Sequence, residues 1–288
     1  MQARLPGMVD LSTVEQDLRA RVRGDEARFT ARERTTDALW DHLRRVAALA
    51  ERLGHAEGLD PAVCRLAALF HDAGKFAGGR YHEGDVPEEE RSVVVLRELA
   101  AAHGLPDEVV EETADAILEL YRDDPEPSPL GRVLFDADNL DKLGLLGVAN
   151  YFIKTGLRGR GLSRSVLERL TVELTYARHA EDALWTAAGR ELGARRAKET
   201  IRYHLGLVEA LREDGLAGLR VETVEHHGLT IDVVCQPQCD CGGTLVRKIV
   251  EKAGIKCSEL RVIHECDDCG DRRELRFCRP RLAGDDRD

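Results

Sequence analysis

Apolar residues recur at helical spacing through most of the first 215 positions. Leu39, Leu43, Val46, Ala50 and Leu53 mark one face of a helix that begins near Thr35 and stops at Gly54. Asp60 and Pro61 supply an N-cap and a first-turn proline for a second helix, carried by Val63, Leu66, Ala67 and Phe70 and stopped by Gly74. Residues 92–102 and 107–120 predict two more helices. A Pro-rich break at 123–129 precedes a helix from Leu130 through Asp138 to about Ile153. The Gly- and Arg-containing segment 155–164 reads as a loop, followed by two long helices over about 164–191 and 195–213. Residues 1–34 mix Arg with acidic residues at weak periodicity and predict a solvated helical extension.

After Leu219 the period shortens. Residues 229–234, 245–250, 260–264 and 274–277 read as short strands punctuated by Gly and Cys. The pattern predicts a mainly α chain in three parts: an extension over 1–34, an all-α bundle over 35–215 and a small Cys-rich β domain over 220–288.

Composition narrows the class. With 288 residues, 43% hydrophobic and 33% charged, the chain has enough apolar material for one large or two modest cores. Aromatics at 5% leave the core to Leu, Val and Ala. The longest uncharged stretch, Leu143 to Ile153, is too short to span a bilayer, and the N-terminal MQARLPGMVD lacks the form of a signal peptide. The expected compartment is the cytoplasm. A net charge of −11 argues against a whole-surface grip on nucleic acid. Of eight cysteines, seven lie from Cys235 onward, and clustering of this kind in a reducing compartment points to metal rather than disulfides. Cys64, alone in an apolar helix, is expected to pack as a small hydrophobe.

Three apolar helices each carry ionisable groups toward the expected core: His42 in the first, His71 and Asp72 at the end of the second, and Asp138 beside Leu134 and Ala137. A lone core histidine is commonly just hydrogen-bonded, but the ordered set needs a common partner. Two imidazoles and two carboxylates make a mixed N/O site for a divalent cation.

The strings His42-Leu-Arg-Arg-Val46, Leu66-Ala-Ala-Leu-Phe-His71-Asp72-Ala-Gly-Lys75 and Phe135-Asp-Ala-Asp138-Asn-Leu-Asp141 resemble the HD superfamily of metal-dependent phosphohydrolases, in its small stand-alone bacterial form. The Gly-rich run 143–150 and the stretch 186–202 extend the resemblance over about residues 36–215. It implies His42, His71, Asp72 and Asp138 as metal ligands, with Asp136 and Asp141 in supporting or structural places. Members with two or three metals use further histidines. Here His82 and His103 are the candidates, and Leu120 stands about where one such histidine often lies, which favours a single ion.

The implied activity is hydrolysis of a nucleotide or other small phosphorylated metabolite, with metal-activated water attacking phosphorus. The ion is Mn, Co, Ni, Fe or Mg, and the substrate a phosphomonoester or a phosphodiester. Asp72, Lys75, Arg45 and His82 are the candidate catalytic residues: Lys75 to neutralise phosphate oxygens, Arg45 to do the same or to pin a ligand carboxylate, and His82 to shape the pocket or supply a proton. The rival reading is a sensor of phosphorylated ligands without turnover. A third is hydrolysis of guanosine tetraphosphate-type alarmones.

Cys239-Asp-Cys241-Gly-Gly and Cys266-Asp-Asp-Cys269-Gly are two metal knuckles in outline, with twenty-four residues between them for a β-hairpin. The tail resembles a zinc ribbon, which implies structural zinc on Cys239, Cys241, Cys266 and Cys269. The Cys-x-Cys half departs from the usual Cys-x-x-Cys, so Cys235 is an alternative to Cys239. Cys257, His264 and Cys278 leave a second ion or an iron–sulfur cluster open. Such a tail can dock a protein or nucleic acid, or simply stabilise its neighbour.

Overall fold

The computed structural model describes residues 10–30, 37–81, 86–122, 126–157, 159–253, 257–280 and 282. The chain divides into two compact units, one drawn from Met1–Asp141 and Leu184–Gly189, the other from Lys142–Ala183 and Arg190–Asp288. No helix among the described residues is long and apolar enough to cross a membrane.

The first unit holds α1 (Leu11–Thr30), α2 (Ala38–Ala56), α3 (Pro61–Phe70), a 3-10 turn (Ala77–Gly79), α4 (Glu88–His103), α5 (Asp107–Arg122) and α6 (Pro129–Asp141). α2 lies against α3 and α6, α3 also against α5, and α4 against α5. Leu43, Val46, Ala50, Leu66, Phe70, Leu96, Ile117 and Leu134 are fully enclosed between them. Asp60 caps α3 as expected, accepting from the Ala62 amide at 2.8 Å. Gly54 does not end α2, which runs on to Ala56. A Cβ at Gly54 would fall 2.3 Å from the Cys64 sulfur, so the glycine lets α3 approach. Burial raises the Cys64 thiol to about 12, and the residue serves as packing.

α1 differs from expectation. Leu11, Val14, Leu18 and Val22 are buried, spaced three and four apart, and the helix packs on α2, α4 and the 3-10 turn. It belongs to the fold rather than to the solvent.

The expected helix over 130–153 is two. α6 ends at Asp141 and α7 (Gly144–Leu157) begins at Gly144, whose φ of 76° is open to glycine and strained for other residues. The expected helix over 164–191 is also broken, into α8 (Arg164–Glu168), α9 (Leu170–Arg178) and α10 (Ala180–Ala183), before α11 (Ala187–Glu213). One cause is Asp136, which is fully buried. Its carboxylate accepts from the amides of Trp185 and Thr186 at 2.8 and 2.7 Å and from the Thr186 hydroxyl at 2.7 Å. Those donors anchor the start of α11.

The second unit combines α7 to α10, most of α11 and five strands: β1 (Arg220–His226), β2 (Leu229–Cys235), β3 (Leu245–Lys252), β4 (Glu259–Cys266) and β5 (Arg272–Cys278). β1 and β2 form a hairpin closed by His227-Gly228, both at positive φ, as a two-residue turn of matching twist requires. β1 carries only two apolar residues, Val221 and Val224, on no regular alternation, so its sequence does not announce a strand. β3, β4 and β5 make an antiparallel sheet in chain order. Val172 of α9 shares one core with Leu229, Ile231 and Val233 of β2, Leu260 and Val262 of β4 and Phe277 of β5.

In the same unit His204 of α11 is enclosed by Tyr151, Phe152 and Tyr203, and its Nδ1 has no hydrogen-bond partner. Burial lowers its pKa from 6.5 to about 4.

Two outcomes are expected. Asp136→Ala strands two amides and a hydroxyl, and should cost roughly 2–4 kcal/mol in urea or thermal unfolding. Below pH 6.5 the unfolded chain protonates at position 204 before the folded one. Stability should therefore decline as pH falls from 6.5 to about 4, by up to about 3 kcal/mol, and level off below. A His204→Phe variant should lack this part of the slope when unfolding midpoints are compared from pH 7.5 to 4.

Candidate metal centre

Amphipathic packing determines where the polar groups meet. His42 lies on the buried face of α2 beside Leu43 and Val46. His71 and Asp72 follow the last turn of α3, where the chain leaves the helix through tight turns from Phe70 to Ala73 and Asp72 to Lys75. Asp138 stands on α6, three residues before its end.

These elements bring the four side chains together. His42 Nε2 is 3.4 Å from Asp138 Oδ1 and 3.6 Å from Asp72 Oδ2. His71 Nε2 is 3.8 Å from both of those oxygens. One ligand atom each from His42, His71 and Asp72 lies within 4.8 Å of the others. All three residues are buried, while Asp138 is half-buried.

The outer nitrogens set the tautomers. His71 Nδ1 donates to the Ala68 carbonyl at 2.7 Å, and His42 Nδ1 donates to Asp141 Oδ2 at 2.8 Å. Each imidazole therefore turns its Nε2 lone pair inward. His71 Nε2 is buried and makes no hydrogen bond, since both carboxylates stand beyond that reach. An orphaned acceptor among carboxylates is costly unless a cation completes it. The donor set fits a divalent cation.

The electrostatics agree. Burial pushes the Asp72 carboxyl upward, but Lys75, His71 and His42 outweigh it and hold the group well below the usual carboxylate range. Burial lowers His42 despite the Asp141 hydrogen bond. At His71 burial is outweighed by Asp72 and Asp138, and the net direction is upward. Asp141 resists its own burial through His42 and Arg45 and titrates at about 2.

The remaining expected residues take specific places. Lys75 Nζ lies 2.5 Å from Asp72 Oδ2, and burial notwithstanding, Asp72 and Glu88 raise its pKa. Arg45 grips Asp141 in fork fashion, Nε to Oδ1 at 2.7 Å and Nη2 to Oδ2 at 3.0 Å. The carboxylate it pins is not one of the four expected ligands but one that orients a histidine. His103 is spent on Asp17 at 2.8 Å and is not brought to the cluster. His82 lies outside the described residues. The Arg45–Asp141–His42 relay joins α2 to the end of α6 and was not legible as a unit. The only signal was that Asp141 sits three residues past Asp138, nearly one turn on.

In the second unit, Cys239, Cys241, Cys266 and Cys269 converge, while Cys235 is buried in β2 with its sulfur 3.7 Å from Arg247. Cys235 therefore does not replace Cys239. Cys257 and Cys278 are joined as a disulfide. For these two the expectation of metal over disulfide is corrected: the β4–β5 pairing sets Glu259 opposite Cys278 and so brings Cys257 within bonding distance.

The family model of the HD domain matches residues 39–143. The protein YpgQ of Bacillus subtilis (strain 168), itself uncharacterized, is 29% identical over 195 residues, covering 64% of this chain and 87% of its own. A crystal structure of Bacillus subtilis YpgQ aligns with 70% of this chain and 96% of that one, at 25% identity and a TM-score of 0.50. A Lactobacillus plantarum structure aligns with 71% of this chain and 97% of that one, at 18% identity and a TM-score of 0.50, a likeness of fold alone. The segment 39–143 contains all four converging residues of the helical site. That segment carries an HD domain.

Proposed function

We propose that this HD domain is a metal-dependent phosphohydrolase acting on a nucleotide or another small phosphorylated metabolite. The observation that carries the reading is the inward-facing, unpartnered Nε2 of His71 among His42, Asp72 and Asp138. These four residues would hold the ion. When bound, a divalent cation lowers the pKa of a water and polarises a phosphoryl oxygen.

The chain's own groups supply the rest. Ala68 and Asp141 keep both imidazoles turned with their lone pairs inward. Lys75 places a fixed positive charge on the Asp72 side of the site. Phosphoryl transfer depends on positioning and charge neutralisation more than on covalent help, so a preset cation there has a direct use. Arg45, committed to Asp141, acts through His42.

The test is a screen of nucleotides and sugar phosphates, mono- and diesters, with Mn, Co, Ni, Fe and Mg, on the full chain and on Asp72→Ala. The variant should lose the helical-site metal and at least about a thousandfold in turnover, the several kcal/mol such an ion supplies. Full activity in Asp72→Ala overturns the reading. Asp72-dependent binding of phosphorylated ligands with no turnover would make the domain a sensor instead. For Asp141→Asn, a positioning variant, metal affinity measured by chelator competition should fall about 10- to 100-fold. Saturating metal should restore most of its turnover, which a collapsed site would not allow.

A further inference from the structure

The four clustered cysteines sit at one end of the β3–β5 sheet. The sulfurs of Cys239 and Cys269 are 3.6 Å apart and those of Cys241 and Cys266 are 3.5 Å apart, with all four inside 4.8 Å. A tetrahedral ion with bonds of about 2.3 Å spaces its sulfurs by about 3.8 Å. An iron–sulfur cluster would hold its thiolates farther apart, around a cage of metal and sulfide. Both short contacts run between the two knuckles, so the four sulfurs face one common point.

The backbone is shaped for it. The amides of Gly242 and Gly270 bond back to the carbonyls of Cys239 and Cys266 at 2.9 and 3.0 Å, forming the two knuckle turns. The Gly243 amide points at the Cys241 sulfur at 3.4 Å. Cys257 and Cys278 are bonded to each other and Cys235 lies elsewhere, so four thiolates remain for one ion.

The knuckles are tied to α8 through the acidic residues beside the cysteines. Arg164, at the start of α8, forks onto Asp240 between the first two cysteines at 3.0 and 2.5 Å. Arg273 reaches Asp240 and Asp271, and also Glu168 at the end of α8. The β1–β2 hairpin and the end of β5 are in turn hydrogen-bonded to α9. The Val234 amide donates to the Thr171 hydroxyl at 2.9 Å, Arg178 donates to buried Asp232 at 2.8 Å, and the Tyr176 hydroxyl donates to the Cys278 carbonyl at 2.8 Å. Strands and helices close over one apolar cluster that includes Val172 and Phe277.

We infer that Cys239, Cys241, Cys266 and Cys269 bind a single zinc ion, and that this ion stabilises the helices α8 and α9 together with the strands rather than an autonomous tail. The ion fastens the end of the sheet that α8 holds through Asp240 and Arg273, so its loss releases both partners of the shared core.

The test uses the full chain. Elemental analysis should find one zinc that persists in Asp72→Ala and disappears in the Cys239→Ser/Cys266→Ser double variant, with no acid-labile sulfide. Cobalt reconstitution should give a thiolate-to-metal charge-transfer band and the visible bands of a tetrahedral ion. Zinc unchanged in the double variant, or iron with sulfide, overturns the site. On chelation of the wild-type chain, amide exchange should quicken at least tenfold in α8 and α9 as well as in β3–β5. Quickening confined to residues 237–278 overturns the wider role. Should the double variant fail to fold, zinc content and the cobalt spectrum of the wild-type chain, compared with Cys269→Ser, still decide the site.

Discussion

Two imidazoles and a carboxylate withdrawn from water at the meeting of α2, α3 and α6 form the constraint around which the first unit is arranged. Burial opposes every charge there, so the groups persist only if each is oriented and answered. Lys75 answers Asp72, Arg45 answers Asp141, and Asp141 orients His42. What these contacts leave over is a pair of inward lone pairs facing two carboxylates. Such a surplus is tolerable as a binding site and expensive as a core.

The apolar framework is built to hold that arrangement still. Small residues let the helices approach, as Gly54 does for Cys64. The polar anchors lie where a side chain must not drift. Asp136 and Asp138 share α6 only two residues apart, yet one anchors the start of α11 and the other faces the histidines. Their opposite duties follow from the helical rotation of about 200° between them. The same rotation makes Asp138, and not Asp136, the residue that meets α2 and α3.

This geometry also explains what could be read beforehand. The convergence of His42, His71, Asp72 and Asp138 was legible because each stands on an apolar helix or just past its end, and an ionisable group there calls for a partner. Asp60 was legible because a cap acts on its own helix. The Arg45–Asp141 fork was not, since it joins residues 96 positions apart on different helices. The break near residue 185 was hidden for the same reason: its anchor, Asp136, is 49 positions away. The buried stripe of α1 was present in Leu11, Val14, Leu18 and Val22 but was masked by the charges between them. Local signals survive in a single sequence, whereas contacts made by the fold do not.

The change of texture near residue 219 marks where helices give way to strands, and this differs from where one core ends. A sheet with one apolar face needs something to lie against. Some seventy Cys-rich residues bury too little by themselves to do without help. β2 meets that need with α9: its Leu229, Ile231 and Val233 close over Val172, and the buried Asp232 is held by Arg178 of the same helix. Asp232 is the telling residue. A carboxylate enclosed within a strand is tolerable only with its partner in place, and that partner is helical. The strand region therefore could not have been cut from α9 without stranding a charge, and one compact unit holds both.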